Sequence, residues 1–175
     1  MSADPTELLE FLRRLRQVRE YTSEAVSEDV INGILEVGRW SGSGSNKQPT
    51  ELIVIRDPGT KRQIGDWGAK PVATCAVAFL IVSKNESPGV DEGRLGERLM
   101  LAAAAHGLGA GIATLKEQGP EAVKLLLGIP SELHAQVVVS VGHIDREARR
   151  ALAKRPGAPR KPMDEFAHWE RYDLR

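Results

Sequence analysis

The chain has 175 residues, a length suited to one domain, and 41% hydrophobic with 27% charged residues, the ordinary balance of a globular protein. Lys plus Arg equal Asp plus Glu, so the formal net charge is zero, which argues against a non-specific nucleic-acid binder, whose charge balance is strongly basic. Cys75 is the single cysteine, so no intramolecular disulfide forms and a reducing, cytoplasmic location is expected.

Residues 1–13 carry acidic side chains and no continuous apolar stretch, unlike a secretory signal. The longest apolar run, 71–82, is too short to span a membrane. Leu8, Leu9, Leu12 and Leu15 have helical spacing, which predicts a helix over 5–20. A second helix is expected over 28–41, with Ser27 as N-cap and Val30, Ile31, Ile34, Leu35 and Val37 as its buried stripe. Residues 51–56 read as a strand, Asp57-Pro58-Gly59 as a turn, and a short helix follows to Trp67. Residues 73–83 are nearly all apolar and read as a strand buried on both faces. Residues 85–89 read as a loop.

The helix expected over 92–106 is apolar on most sides, so it lies inside the protein or in a subunit interface. Gly107 to Gly109 end it, and 111–115 read as a short strand. A helix over 120–127 has Pro120 in its first turn and Gly128 past its end. Residues 135–144 read as another buried strand. The basic, proline-containing stretch 146–161 reads as an extended arm or loop, and 163–172 as a short closing helix. Four strands alternating with helices indicate an α/β or α+β sandwich, with no internal repeat.

Two features carry chemistry. Arg13, Arg14, Arg16 and Arg19 form a local knot of guanidinium groups in a chain with no overall basic surplus. Residues 41–49, Ser-Gly-Ser-Gly-Ser-Asn-Lys-Gln-Pro, form a small polar loop between a helix and a strand. Guanidinium grips phosphate through paired hydrogen bonds. Glycine lets the backbone approach a ligand, and Ser, Asn and Gln offer donors and acceptors to a heteroaromatic edge. Together they suit a planar polar ligand that carries a phosphate.

Other residues read as structural. Arg13 and Arg14 fit a solvated helix face, and Asp91 and Glu92 fit helix-start charges. His106, His134, His143 and His168 lack metal-ligand spacing, so no metal is expected. Cys75 reads as a core residue in an apolar strand and Trp40 as core, while Trp67 fits either core or pocket. Gly107-x-Gly109-x-Gly111 follows a helix instead of a strand, which rules out a dinucleotide fingerprint.

These motifs, in this order, resemble the FMN-dependent nitroreductase family. The residues that carry the resemblance are Arg16-Gln-Val-Arg-Glu-Tyr21, then Arg39-Trp-Ser-Gly-Ser-Gly-Ser-Asn-Lys-Gln-Pro49. Asp91 to Arg94, Ala102 to Gly111 and Arg160-Lys-Pro-Met-Asp-Glu-Phe166 extend it over nearly the whole chain. The resemblance implies an α+β, nitroreductase-like three-layer sandwich: one domain over 1–175, with a mixed, mainly antiparallel sheet flanked by helices. It also implies an intertwined homodimer with FMN at the interface and an arm, 145–175, packing on the partner. By the same resemblance Arg16, Gln17 and Arg19 contact FMN from one subunit, with Arg160 and Lys161 near its phosphate. Ser43, Gly44, Asn46 and Gln48 reach the flavin from the other subunit, and Thr114 and Leu115 lie near its ring. NAD(P)H is the implied electron donor and a nitroaromatic or quinone the implied small-molecule acceptor, with ping-pong kinetics and no side-chain general acid.

The sequence departs from the family pattern at Leu15, where arginine is common, and at Gln17 in place of serine. Gly42 replaces the usual proline and Thr50 the usual aromatic residue. Alternatives on the same scaffold are dehalogenation, oxygen-dependent flavin chemistry, or a flavin-sequestering protein without turnover. A ligand-free interaction domain is the further alternative.

Overall fold

The structure, a computed structural model, describes residues 4–84, 89–152 and 159–172. Helix α1 (Pro5–Arg14) starts at Asp4, whose carboxylate accepts from the Thr6 N–H at 2.9 Å, and buries no residue. It stops at Arg14, so the helix expected to reach residue 20 is one turn and a half too long. The reason is tertiary. The Val18 N–H donates to Ala110 O at 2.7 Å, and Tyr21 bridges to Ile144, which pulls residues 15–22 into extended chain along the sheet.

Helix α2 (Glu28–Arg39) is capped by Ser27 and buries Ile31 and Ile34. A loop containing a 3-10 turn, Gly44–Asn46, leads into β1 (Thr50–Ile55). Helix α3 (Pro58–Asp66), capped by Asp57, ends at Trp67. A 3-10 turn over Lys70–Ala73 delays the next strand, so β2 is Val77–Ser83 and not 73–83. Cys75 therefore lies in the turn before the strand. It is buried there, with Sγ donating to Val72 O. The loop expected at 85–89 falls, apart from Gly89, outside the described residues.

Helix α4 (Val90–Ala105) carries the buried row Leu95, Leu99 and Ala103. Strand β3 (Gly109–Thr114), helix α5 (Gly119–Leu127) and strand β4 (His134–Gly142) follow, with Gly128 left-handed (φ 67°) past α5. The arm expected over 146–161 begins instead as helix α6 (Arg146–Leu152). Asp145 Oδ1 starts that helix by accepting from the N–H groups of Glu147 (3.1 Å) and Ala148 (2.9 Å). The closing helix is a single turn, α7 (Met163–Phe166).

The four strands form one antiparallel sheet in the order β1-β2-β4-β3. Successive β2 side chains point to opposite faces. Ala78, Leu80 and Val82 join Ile64, Val72 and Val123 in one core, under α3 and α5. Val77, Phe79 and Ile81 join Ile34, Leu95 and Leu99 in the other, under α2 and α4. The result is a three-layer α+β sandwich. Each fully buried Ile, Leu or Phe contributes about 1.5–3 kcal/mol relative to exposure, and the inaccessible Phe79, Ile34, Ile64 and Leu80 do so on both faces.

Two glycines let the N-terminal segment reach the sheet. A Cβ at Gly111 would sit 2.5 Å from Val18 O, and one at Gly109 would sit 2.7 Å from Val18 Cγ1. The Gly-x-Gly run therefore serves close chain packing. Trp67 packs against the core under α3, and Trp40 is exposed instead of buried.

Candidate functional site

The segment after α1 is fixed from below by a buried hydroxyl pair. The Tyr21 phenol lies 2.7 Å from Val18 O, 3.1 Å from Ser140 O and 2.8 Å from Ser140 Oγ. Ser140 Oγ in turn donates to Gly111 O at 3.2 Å. Burial pushes the Tyr21 pKa well above the usual phenol range, so the group stays protonated and able to donate. From above, Arg149 Nη1 donates to Gln17 O at 3.1 Å. The backbone of residues 17–21 is thus held on both sides while Arg16, Gln17 and Arg19 project outward, all three exposed.

Arg16 and Gln17 line a cleft of about 210 Å³ together with Leu15, Glu97, Met100 and Arg160. Residues near the two ends of the chain meet here. Arg16 Nη1 donates to Arg13 O and Leu15 O, 2.7 Å each, which ties the guanidinium to the end of α1. Arg19 Nη2 donates to Gln17 Oε1 at 3.3 Å. Arg160 and Lys161 also line a separate cavity of about 660 Å³ with Met163 and Phe166.

The loop after α2 presents a second set of polar groups. Ser43 Oγ accepts from the Gln48 N–H at 2.8 Å, and Gln48 Nε2 donates to Asn46 O at 3.4 Å. Ser45, Asn46 and Gln48 have φ of 50°, 54° and 49°. Left-handed backbone costs a non-glycine residue about 1–2 kcal/mol, less for Asn, so this loop holds a shape its sequence would not adopt locally. An added Cβ at Gly44 meets nothing within 4 Å, so the loop crest is open. Ser43 and Gln48 line a cleft of about 210 Å³ with Arg39, Ser41, Glu51 and Leu95. Ser41 Oγ is buried there without a hydrogen-bond partner among the described residues. The Arg94 guanidinium lies against Gly42, in the space a side chain would fill.

The arginine cleft and the loop cleft share no lining residue. The two are therefore distinct clefts on one chain. Thr114 is exposed and lines a third cavity, about 440 Å³, with Gly93, Ile112 and Gln136. The Leu115 side chain is buried in the core, and its N–H donates to Gln136 O at 2.8 Å. Neither lines the arginine cleft or the loop cleft.

Sequence reading missed Tyr21, Ser140, Arg146 and Arg149. Asp145 before a run of helix formers was the available signal for the two arginines. The Tyr21–Ser140 pair, 119 positions apart, had none. Glu92 is buried and accepts from the Gly89 N–H at 2.6 Å, so it starts a helix as expected. Among the described residues no group of three or more His, Cys, Asp or Glu could hold a metal.

A three-layer sandwich, a sheet-anchored arginine segment, a strained Ser/Gly loop and a basic C-terminal pair are the features to set beside known proteins. Residues 12–87 match the model of the nitroreductase family. It is 25% identical to a protein named NADH dehydrogenase from Thermus thermophilus, covering 73% of this chain and 82% of that one. A 64-residue stretch is 38% identical to an iodotyrosine deiodinase from Nematostella vectensis, covering 37% of this chain and 24% of that protein. The fold is that of an FMN-dependent nitroreductase from Clostridium difficile, with a TM-score of 0.79, 18% identity, and 94% of this chain and 99% of that chain covered.

Proposed function

We propose that the protein is an FMN-dependent oxidoreductase, taking electrons from NAD(P)H and passing them to a small oxidised acceptor such as a nitroaromatic or a quinone. The observation that carries this reading is the meeting of Arg16, Gln17 and Arg160 in one cleft. The donor set fits FMN. A phosphate monoester carries about −1.5 to −2 charge at neutral pH, and Arg16 and Arg160 offer two guanidinium groups to it. Arg19, steadied by Gln17, supplies a third positive charge one step along the chain. Ser43, Asn46 and Gln48 supply hydroxyl and amide groups for the edge of a heteroaromatic ring, and Gly44 leaves room for it.

Bound FMN would supply the two-electron redox chemistry, while the protein binds, orients and tunes it. Arg19 is the residue assigned to the negative charge that reduction adds. At an effective dielectric of about 20, a charge pair 4 Å apart is worth roughly 4 kcal/mol before desolvation. No side chain is assigned as a general acid, so protons would come from water or the ribityl chain. Donor and acceptor would use one open face in turn, which gives ping-pong kinetics.

The active unit under this reading is a homodimer with FMN at the interface and the arm over the partner from residue 159 on, because residues 145–149 pack on their own chain through Asp145 to Glu20 and Arg149 to Gln17. Three observations support it. The arginine cleft and the loop cleft share no lining residue on one chain. Helix α1 buries no residue, leaving Leu8, Leu9 and Leu12 exposed, although a ten-residue helix is marginal alone in water. Met163, Phe166, Trp169 and Tyr172 are also largely exposed, 74–85%. No helix among the described residues is long and apolar enough to cross a membrane, and a cytoplasmic location is part of the proposal.

An absorption spectrum of the purified protein followed by anaerobic NADPH tests the reading. A yellow protein that bleaches on NADPH supports it, and a colourless one that takes up no added FMN overturns it. A persistent oxidised spectrum would select a flavin-sequestering protein. Reductive dehalogenation is the second reading, and it rests on the short deiodinase match. Halide release without nitro or quinone reduction would select it.

A further inference from the structure

A cluster of arginines lies beside the proposed flavin cleft, and most of it is not absorbed by that cleft. A cavity of about 420 Å³ is walled by Arg14, Arg16, Arg146 and Arg149. Its floor is apolar, built from Phe11, Val18, Met100, Leu108 and Ile144. Leu15, Arg16 and Met100 line both this cavity and the arginine cleft, so the two adjoin.

The four guanidinium groups are not equally engaged. Arg14 is paired with Glu10 at 2.7 Å. Arg149 lies 3.7 Å from Glu20 and donates to Gln17 O. Arg16 donates only to backbone carbonyls, which leaves its charge uncompensated. Arg146 is exposed and makes no hydrogen bond or ion pair among the described residues. With Arg16 assigned to the flavin phosphate, Arg146 is the cation left over an apolar floor, which complements an anion carried on a flat apolar body. The volume lies within the usual range of small-molecule sites.

We infer that this cavity is a subsite for the anionic end of a substrate that reacts at the flavin cleft, with Arg146 as its principal contact. The inference rests on the flavin reading for the adjacent cleft. The shared chemistry is a phosphate or sulfonate on an aromatic body. Two sources supply it: the phosphorylated adenosine of the nicotinamide donor, or an acidic aromatic acceptor.

Calorimetric titration of the FMN-loaded protein separates these sources. The donor arm compares adenosine 2′,5′-bisphosphate with adenosine, and the acceptor arm compares naphthalene-2-sulfonate with 2-naphthol. One arm should show the charged probe binding at least about ten-fold tighter than its neutral counterpart. That is the scale of one hydrogen bond to a charged group. Arg146→Ala should erase that margin, and raising the salt should shrink it. Equal binding of charged and neutral probes in both arms overturns the inference, as does an unchanged margin in Arg146→Ala. Charged-probe binding confined to flavin-free protein also overturns it, because the cavity would then be the flavin phosphate's own site. Flavin content read from the same samples shows whether the flavin reading itself has failed. Arg146 has no partner to lose, so the variant folds, and Arg146→Glu provides a second one in which the margin should invert.

Discussion

Replacing Tyr21 by Phe tests how the arginine segment is held. The ring stays and only the hydroxyl goes. In the native protein that hydroxyl has three oxygens within reach, and the shortest contact, 2.7 Å, is to Val18 O. A phenol has one proton to donate, so the variant orphans one buried acceptor. Ser140 Oγ keeps Gly111 O at 3.2 Å. An unsatisfied buried acceptor costs about 1–3 kcal/mol, which lowers the melting temperature by roughly 2–12 °C in a chain of this size. Ser140→Ala should cost less, because the Tyr21 hydroxyl retains Val18 O. The double variant should cost less than the two singles added, since they share one network. Val18 sits between Gln17 and Arg19, so the flavin consequence should be selective. FMN affinity should fall more than riboflavin affinity, because only FMN carries the phosphate. Urea unfolding and flavin fluorescence titration measure both quantities. A Tyr21→Phe protein within 0.5 kcal/mol of the wild type, with unchanged FMN affinity, would refute the reasoning.

Arg19→Ala should weaken FMN binding by about 1.5–3 kcal/mol, the scale of a charged hydrogen bond, and equal flavin occupancy in the variant would remove that assignment. Gly111→Ala should destabilise by about 1–3 kcal/mol, because the new methyl meets the Val18 carbonyl. Gly42→Ala should stay within about 0.5 kcal/mol, because it meets only the end of the flexible Arg94 side chain; matching denaturation midpoints for the two variants would contradict at least one of these assignments. Hydrogen bonds from Arg39 and then Trp40 pull the Glu36 pKa from 4.5 down to about 2. The carboxylate is thus ionised more readily in the folded state, so its contribution is present above pH 4.5 and lost as pH falls toward 2. Glu36→Gln should therefore flatten the acid limb of the melting curve, and an unchanged limb would count against the pairing. Phe166→Glu should shift the protein from dimer to monomer in sedimentation and release FMN, while a variant that sediments as a dimer with its flavin would sink the shared-site proposal.

Periodicity made the buried elements legible. Phe79, Leu80 and Ile81 lie in a run that only a strand covered on both faces could hide, and Pro120 with Gly128 bracketed α5 within a residue. Errors arose where distant contacts outweigh local pattern. Leu15 continues the helical spacing of Leu8 and Leu12, yet Val18 gives its N–H to Ala110 and the helix stops. Residues 73–76 read as strand from apolar composition alone, yet a 3-10 turn ends at Ala73 and the strand begins only at Val77. Helix α6 was hidden by the prolines that follow it in a basic stretch. For the site, the motif residues were readable because arginines and a Ser/Gly loop are chemically distinctive. Their supports were not, since a tyrosine and a serine acquire meaning only once the sheet brings them together.

The dependence of residues 17–21 on β3 and β4 sets an order of events during synthesis. The segment leaves the ribosome early, but its anchor points, Ala110, Gly111 and Ser140, emerge far later. Domains emerge at about 5–20 residues per second, so the first turns wait several seconds without a template. Under the flavin reading, cofactor capture is consequently a late step in biogenesis, and a nascent chain arrested before its last strand would have no organised grip for a phosphate.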